Sequence, residues 1–163
     1  MANLKKTCAA AAAVMGICAS VLAATPANAE APGPTRVAKL QFRDVENPRN
    51  YLHSSGTTGL MSAEGQVQTW VMYSLPGAPQ GVYQIELSGT DLCIKAKSKT
   101  DVGLATCSHY PGKSQRWAVR IDQALTKIES RQYPGSVITR MHSSIILSGS
   151  SNRAEAQWNV IRP

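Results

Sequence analysis

Beyond residue 36 the chain is written in short apolar or alternating runs separated by Gly, Ser, Asn and Pro. Helix signals are nearly absent from these residues. The runs predict many short strands and an all-β fold. They read "AKLQF" (38–42), "YLH" (51–53) and "GLMS" (59–62), closed by "WVMYSL" (70–75). The same order returns as "VYQIEL", "CIK", "GLATC" and "WAVRI", and again as "LTKIES", "VIT", "IILSG" and "WNVI".

Three units of four strands follow, at about 37–76, 81–122 and 124–163. Trp70, Trp117 and Trp158 head the last strand of each, spaced by 47 and 41 residues. Gln68 and Gln115 stand two places before their tryptophans, whereas the third unit has a slipped "AQW". A four-strand piece cannot bury its apolar face alone. Three arranged about a pseudo-threefold axis can close a barrel, cap one end and remove most exposed sheet edges. Trp70, Trp117 and Trp158 are then core residues, with Gln68 and Gln115 as local pegs. A buried indole also needs an acceptor for its N–H.

The amino terminus changes the count of residues available to this fold. Lys5 and Lys6, an Ala-rich apolar core and "TPANA" form a secretory signal over residues 1–29, with cleavage expected after Ala29. The apolar run is short for a bilayer span, so no transmembrane segment is expected. Residues 30–36 read as a flexible Pro-rich lead-in to one domain over 37–163. Export leaves Cys93 and Cys107, an even pair that reads as one disulfide. Closing that loop contributes roughly 3 kcal/mol in the chain-entropy model. A zinc site would need further ligands, since no CxxC is present, and no metal or cofactor is expected.

The mature part holds fifteen basic and ten acidic residues, a net charge of +5. The charges are scattered, which serves solubility; anionic surfaces are the natural partners of such a balance. Export argues against nucleic acid as a partner.

Units of about forty residues closing in Q-x-W resemble the ricin B-type lectins, a β-trefoil family. The second unit, "VYQIELSGTDLCIKAKSKTDVGLATCSHYPGKSQRWAV", carries the resemblance best, with its Cys pair placed as in that family. The resemblance implies a β-trefoil and carbohydrate binding. The family's galactose-type site uses an Asp soon after the first Cys and an aromatic platform two residues before the second. Here those places hold Lys95 and Ala105, and the counterparts of Lys95 in the other units are His53 and Thr139. Galactose binding is therefore not carried over.

The remaining candidates for a sugar contact are Asp91, Lys95, His109, Tyr110 and Ser114 around the second unit's "TCSHYPGKSQ" loop. The alternative for that loop is a turn at Pro111–Gly112 with Tyr110 packed on the rim. Lys95, Lys97 and Lys99 form either an anion-binding row or an edge defended against strand pairing, the second being preferred. "HSS" at 53–55 and 142–144 reads as repeated loop chemistry. No nucleophile motif or paired-carboxylate spacing stands out, so an enzyme is not expected. The expected function is glycan or glycoconjugate recognition by a secreted module. The alternative is a protein-binding trefoil, such as a toxin delivery subunit or a protease inhibitor.

Overall fold

The computed structural model describes residues 32–149 and 153–163. The expected signal peptide and its cleavage point lie outside the described residues. The first unit folds as β1 (Thr35–Asp44), β2 (Asn50–Ser55), β3 (Gly59–Glu64) and β4 (Trp70–Ser74). The second holds β5 (Val82–Leu87), β6 (Leu92–Ala96), β7 (Val102–Thr106) and β8 (Trp117–Ala118). The third holds β9 (Leu125–Thr126), β10 (Glu129–Ser130), β11 (Val137–Met141), β12 (Ser144–Ser148) and β13 (Trp158–Ile161).

The first and fourth strands of each unit pair in a ring. β1 pairs with β4, β4 with β5, β5 with β8 and β8 with β10, while β9 pairs with β13 and β13 returns to β1. This is a closed barrel. The remaining strands form three hairpins, β2–β3, β6–β7 and β11–β12. Barrel and hairpin triplet together make the β-trefoil that the threefold pattern predicts.

Three backbone hydrogen bonds knit the hairpins into a ring of their own. Leu104 N–H donates to Thr58 C=O at 2.9 Å, Ser62 N–H to Ser143 C=O at 2.9 Å, and Leu147 N–H to Thr100 C=O at 3.1 Å. Each unit thus donates to one neighbour and accepts from the other.

The alternating pattern sets the core. Leu40, Phe42, Leu52, Met72, Ile85, Ile94, Leu104, Ile128 and Ile138 are buried in one cluster with Trp70, Trp117 and Trp158. All three indoles are fully buried. Their N–H groups donate to Leu52, Ile94 and Ile138 carbonyls at 3.1, 2.9 and 3.1 Å, so each is satisfied by the second strand of its own unit. The next residues, His53, Lys95 and Thr139, are therefore true equivalents.

Four sequence expectations need correction. Thr35 and Arg36, read as part of the lead-in 30–36, belong to β1 and pair with Ser74 and Tyr73. "LTKIES" is not one strand. β9 pairs with β13 and β10 with β8, so the segment changes partner midway. The two "HSS" stretches are not equivalent: His53 lies within β2, whereas His142 sits at the β11–β12 turn with φ 59°. Lys95 lies in β6 opposite Gly103, whereas Lys97 and Lys99 lie in the turn beyond that strand, so the three lysines do not line one strand edge.

Candidate functional site at the junction of the first two units

β5 alternates between two environments. Ile85 and Leu87 point into the core, which sends Gln84 and Glu86 to the outer face of the barrel wall. There they meet Tyr73 of β4, directly opposite Gln84 and one step diagonal from Glu86. The loop after β7 and the segment before β1 fold over this patch. The result is a cleft of about 310 Å³ lined by Pro34, Tyr73, Gln84, Glu86, Cys107, Ser108 and His109.

The loop is held by Gln115. Its Oε1 accepts from Ser108 N–H at 3.0 Å and from Gln84 Nε2 at 3.0 Å, and its Nε2 donates to Thr106 C=O at 2.8 Å. Gln84 Nε2 also donates to Ser108 C=O at 3.1 Å. The Cys93–Cys107 disulfide and a Cys107 N–H bond to Asp91 C=O at 2.7 Å fix the loop's start. Gln68 does similar work elsewhere, accepting from Ser54 N–H and donating to Ser54 Oγ at 3.0 Å. In the third unit Ala156 takes the place of this amide, and Gln157 follows the short 3-10 turn.

The Tyr73 hydroxyl bonds the Glu86 carboxylate. Burial pushes the Glu86 carboxyl above its ordinary value; the Tyr73 hydrogen bond and the Arg36 charge pull it partly back, and Asp91 adds to the rise. Burial and the adjacent Glu86 charge raise the Tyr73 phenol as well. A carboxylate set among a phenol, an imidazole and backbone carbonyls can accept hydrogen bonds from ligand hydroxyls.

Of the residues proposed from sequence, His109 lines the cleft and packs edge-on against Tyr110, ring centroids 4.6 Å apart. Tyr110 is 59% exposed. Asp91 lies at the margin, where its charge acts on Glu86. Lys95 and Ser114 do not line this cleft: Lys95 faces Gly103 across the β6–β7 hairpin, and Ser114 is in the 3-10 turn Lys113–Gln115. Lys97 is structural, its Nζ donating to Thr58 C=O at 2.9 Å. Sequence reasoning missed Tyr73, Gln84 and Glu86. Period-2 alternation in "VYQIEL" does send Gln84 and Glu86 to one face, but nothing local says that a loop will cover them. Among the described residues no cluster of three or more His, Cys, Asp or Glu could hold a metal. No helix there is long and apolar enough to cross a membrane.

Solved structures of the same fold share little sequence with this chain. A mutant of chicken interleukin-1β matches at TM-score 0.64 and 13% identity, over 79% of this chain and 98% of that one. A mosquitocidal holotoxin matches at 0.63 and 13%, over 77% of this chain but only 17% of the toxin. SeviL, solved with an asialo-GM1 saccharide, matches at 0.60 and 12%, over 77% of this chain and 98% of that one. No family model and no curated protein sequence matches the chain. The chain is a β-trefoil.

Proposed function

We propose that this protein is a secreted, ricin B-like binding module that recognises a neutral glycan at the junction of its first two units. The observation that carries the reading is the half-buried Glu86 carboxylate beside the His109–Tyr110 ring pair. A lectin pocket needs a directed acceptor for sugar hydroxyls and an aromatic face for C–H contact. The family positions for both are filled by Lys95 and Ala105, yet the fold supplies a carboxylate and rings from other positions. The saccharide held by SeviL supports a glycan partner for a trefoil of this size. The signal-like residues 1–29 support export.

The test is a glycan array with the protein after expression of the full chain, at low and high salt. Salt-resistant binding of a defined neutral sugar, lost in Glu86→Gln and Tyr110→Ala while both variants still unfold cooperatively, is the expected result. Failure to bind any neutral glycan would overturn the reading. The likeness to interleukin-1β, a cytokine, would then favour the second reading, a protein-binding trefoil, to be pursued by co-purification of partners.

A further inference from the structure

The strand registers make the wall positions of the unit junctions equivalent. Trp70 pairs with Leu87, and Trp117 with Ser130. The outward triad Tyr73, Gln84 and Glu86 at the first junction therefore corresponds to Arg120, Lys127 and Glu129 at the second. At the third junction, where Trp158 pairs with Asp44, it corresponds to Ile161, Gln41 and Arg43. The first two of these triads each line a cleft, and their polarities differ.

The second cleft exists because the segment 125–130 changes partner. β8 follows β10 while β9 follows β13, and a wedge opens between them. Thr126, Ile128 and Ser130 turn inward, which directs Leu125, Lys127 and Glu129 into the wedge. The cleft measures about 550 Å³ and adds Arg120 and the amides of Gln80, Gln123 and Gln157 to its walls. Arg120 N–H bonds Thr126 Oγ1 at 3.0 Å, which ties the two sides of the wedge together. Glu129, the one acid of the lining, already accepts from Gly135 N–H at 2.9 Å.

We infer that this cleft is a second binding site and that it takes a carboxylated saccharide. Its volume suits a sugar-sized ligand. Arg120 and Lys127 supply two cations for a carboxylate, with Arg able to engage it through two N–H groups. Three glutamine amides, each both donor and acceptor, match ring hydroxyls, and Leu125 offers an apolar face. Where the first junction presents the Tyr73 phenol and the Gln84 amide, the second presents the cations Arg120 and Lys127 at the equivalent places, the carboxylate being kept as Glu129. The inference stands independently of the neutral-glycan reading, because the two clefts share no residue.

The experiment is a titration of the isotopically labelled protein with glucuronate, read by amide chemical shifts, with methyl glucoside and acetate as controls. Saturable shifts confined to residues 80–81, 118–129 and 157 are expected for glucuronate. Arg120→Gln and Lys127→Gln should each weaken them at least tenfold, whereas Glu86→Gln should leave them intact. Unchanged spectra of the uncomplexed variants would verify folding. Equal affinity for acetate, no saturable shift, or loss of binding in Glu86→Gln but not in Arg120→Gln would each overturn the assignment.

Discussion

Trp117 is 0% exposed, and its N–H is spent on the Ile94 carbonyl. Trp117→Ala should cost about 3–5 kcal/mol, the range for emptying an aromatic site in a packed core. Tyr110→Ala, on the surface, should shift stability little. Denaturant unfolding of both variants checks the contrast; equal midpoints would remove the core role from the indole. Glu86 adds a pH-dependent effect. Its carboxyl titrates above the ordinary value in the folded protein, so the native state disfavours its charge. Its contribution to stability is therefore present below the ordinary carboxylate range and falls as pH rises towards the raised value. In Glu86→Gln the stability-against-pH curve should lose that decline, as measured by melting temperature across the acid range. A curve parallel to the parent's would contradict the burial argument. These assignments differ in legibility. A tryptophan recurring at one place in each unit announces a core role, whereas Glu86 looks like any outward strand residue until Tyr73 and the covering loop are seen around it.

At the scale of single elements, the hairpin triplet depends on close backbone approach. Gly103 in β7 lies where an added Cβ would stand 2.2 Å from the Thr58 carbonyl and 2.6 Å from Lys97 Nζ. That carbonyl receives both the Leu104 N–H and the Lys97 ammonium. Gly103→Ala must push the hairpins apart, and a loss of about 2–3 kcal/mol is expected from overpacking and a broken hydrogen bond. Calorimetry should show it, along with faster amide exchange at Leu104. Retained protection at Leu104 would mean the backbone can yield without separating. The β10–β11 turn, in contrast, was legible: "YPGS" places Pro134 and Gly135 at the centre, Gly135 has φ 81°, and Ser136 N–H bonds Tyr133 C=O at 3.0 Å. Turn chemistry is local. The division of 125–130 into β9 and β10 is not, because it arises from two different partner strands.

Across the whole molecule, Arg140 of β11 joins the third unit to the first. Its guanidinium pairs with Asp44 and Glu46, and the Asp44 side chain is only 2% exposed. Asp44 also accepts from the backbone N–H groups of Glu46 and Asn47, at 2.8 and 3.2 Å. Arg140→Leu would leave a buried carboxylate without its cation, at a cost of about 3–5 kcal/mol. Unfolding at neutral pH measures the cost; a loss below about 1 kcal/mol would place the pair among the weak surface bridges. The pair spans 96 positions of sequence, from Asp44 to Arg140, so no local pattern announces it.

The sequence by itself determined the number of units, the order of their strands, the identity of the buried tryptophans and, with two cysteines beyond the signal-like segment, the disulfide. Each of these follows from short-range alternation, recurring large apolar side chains or simple scarcity. Only the tertiary structure decided what stands at the junctions: Tyr73 against Glu86, Gly103 against Thr58, Arg140 against Asp44, and Arg120 with Lys127 where β9 and β10 part to different strands. The physical reason is register. Barrel closure matches residues from different units according to how their strands slide into pairing, and a slip of one residue would exchange every inward and outward side chain. The core tells the chain where its walls are, and the walls meeting one another create the clefts.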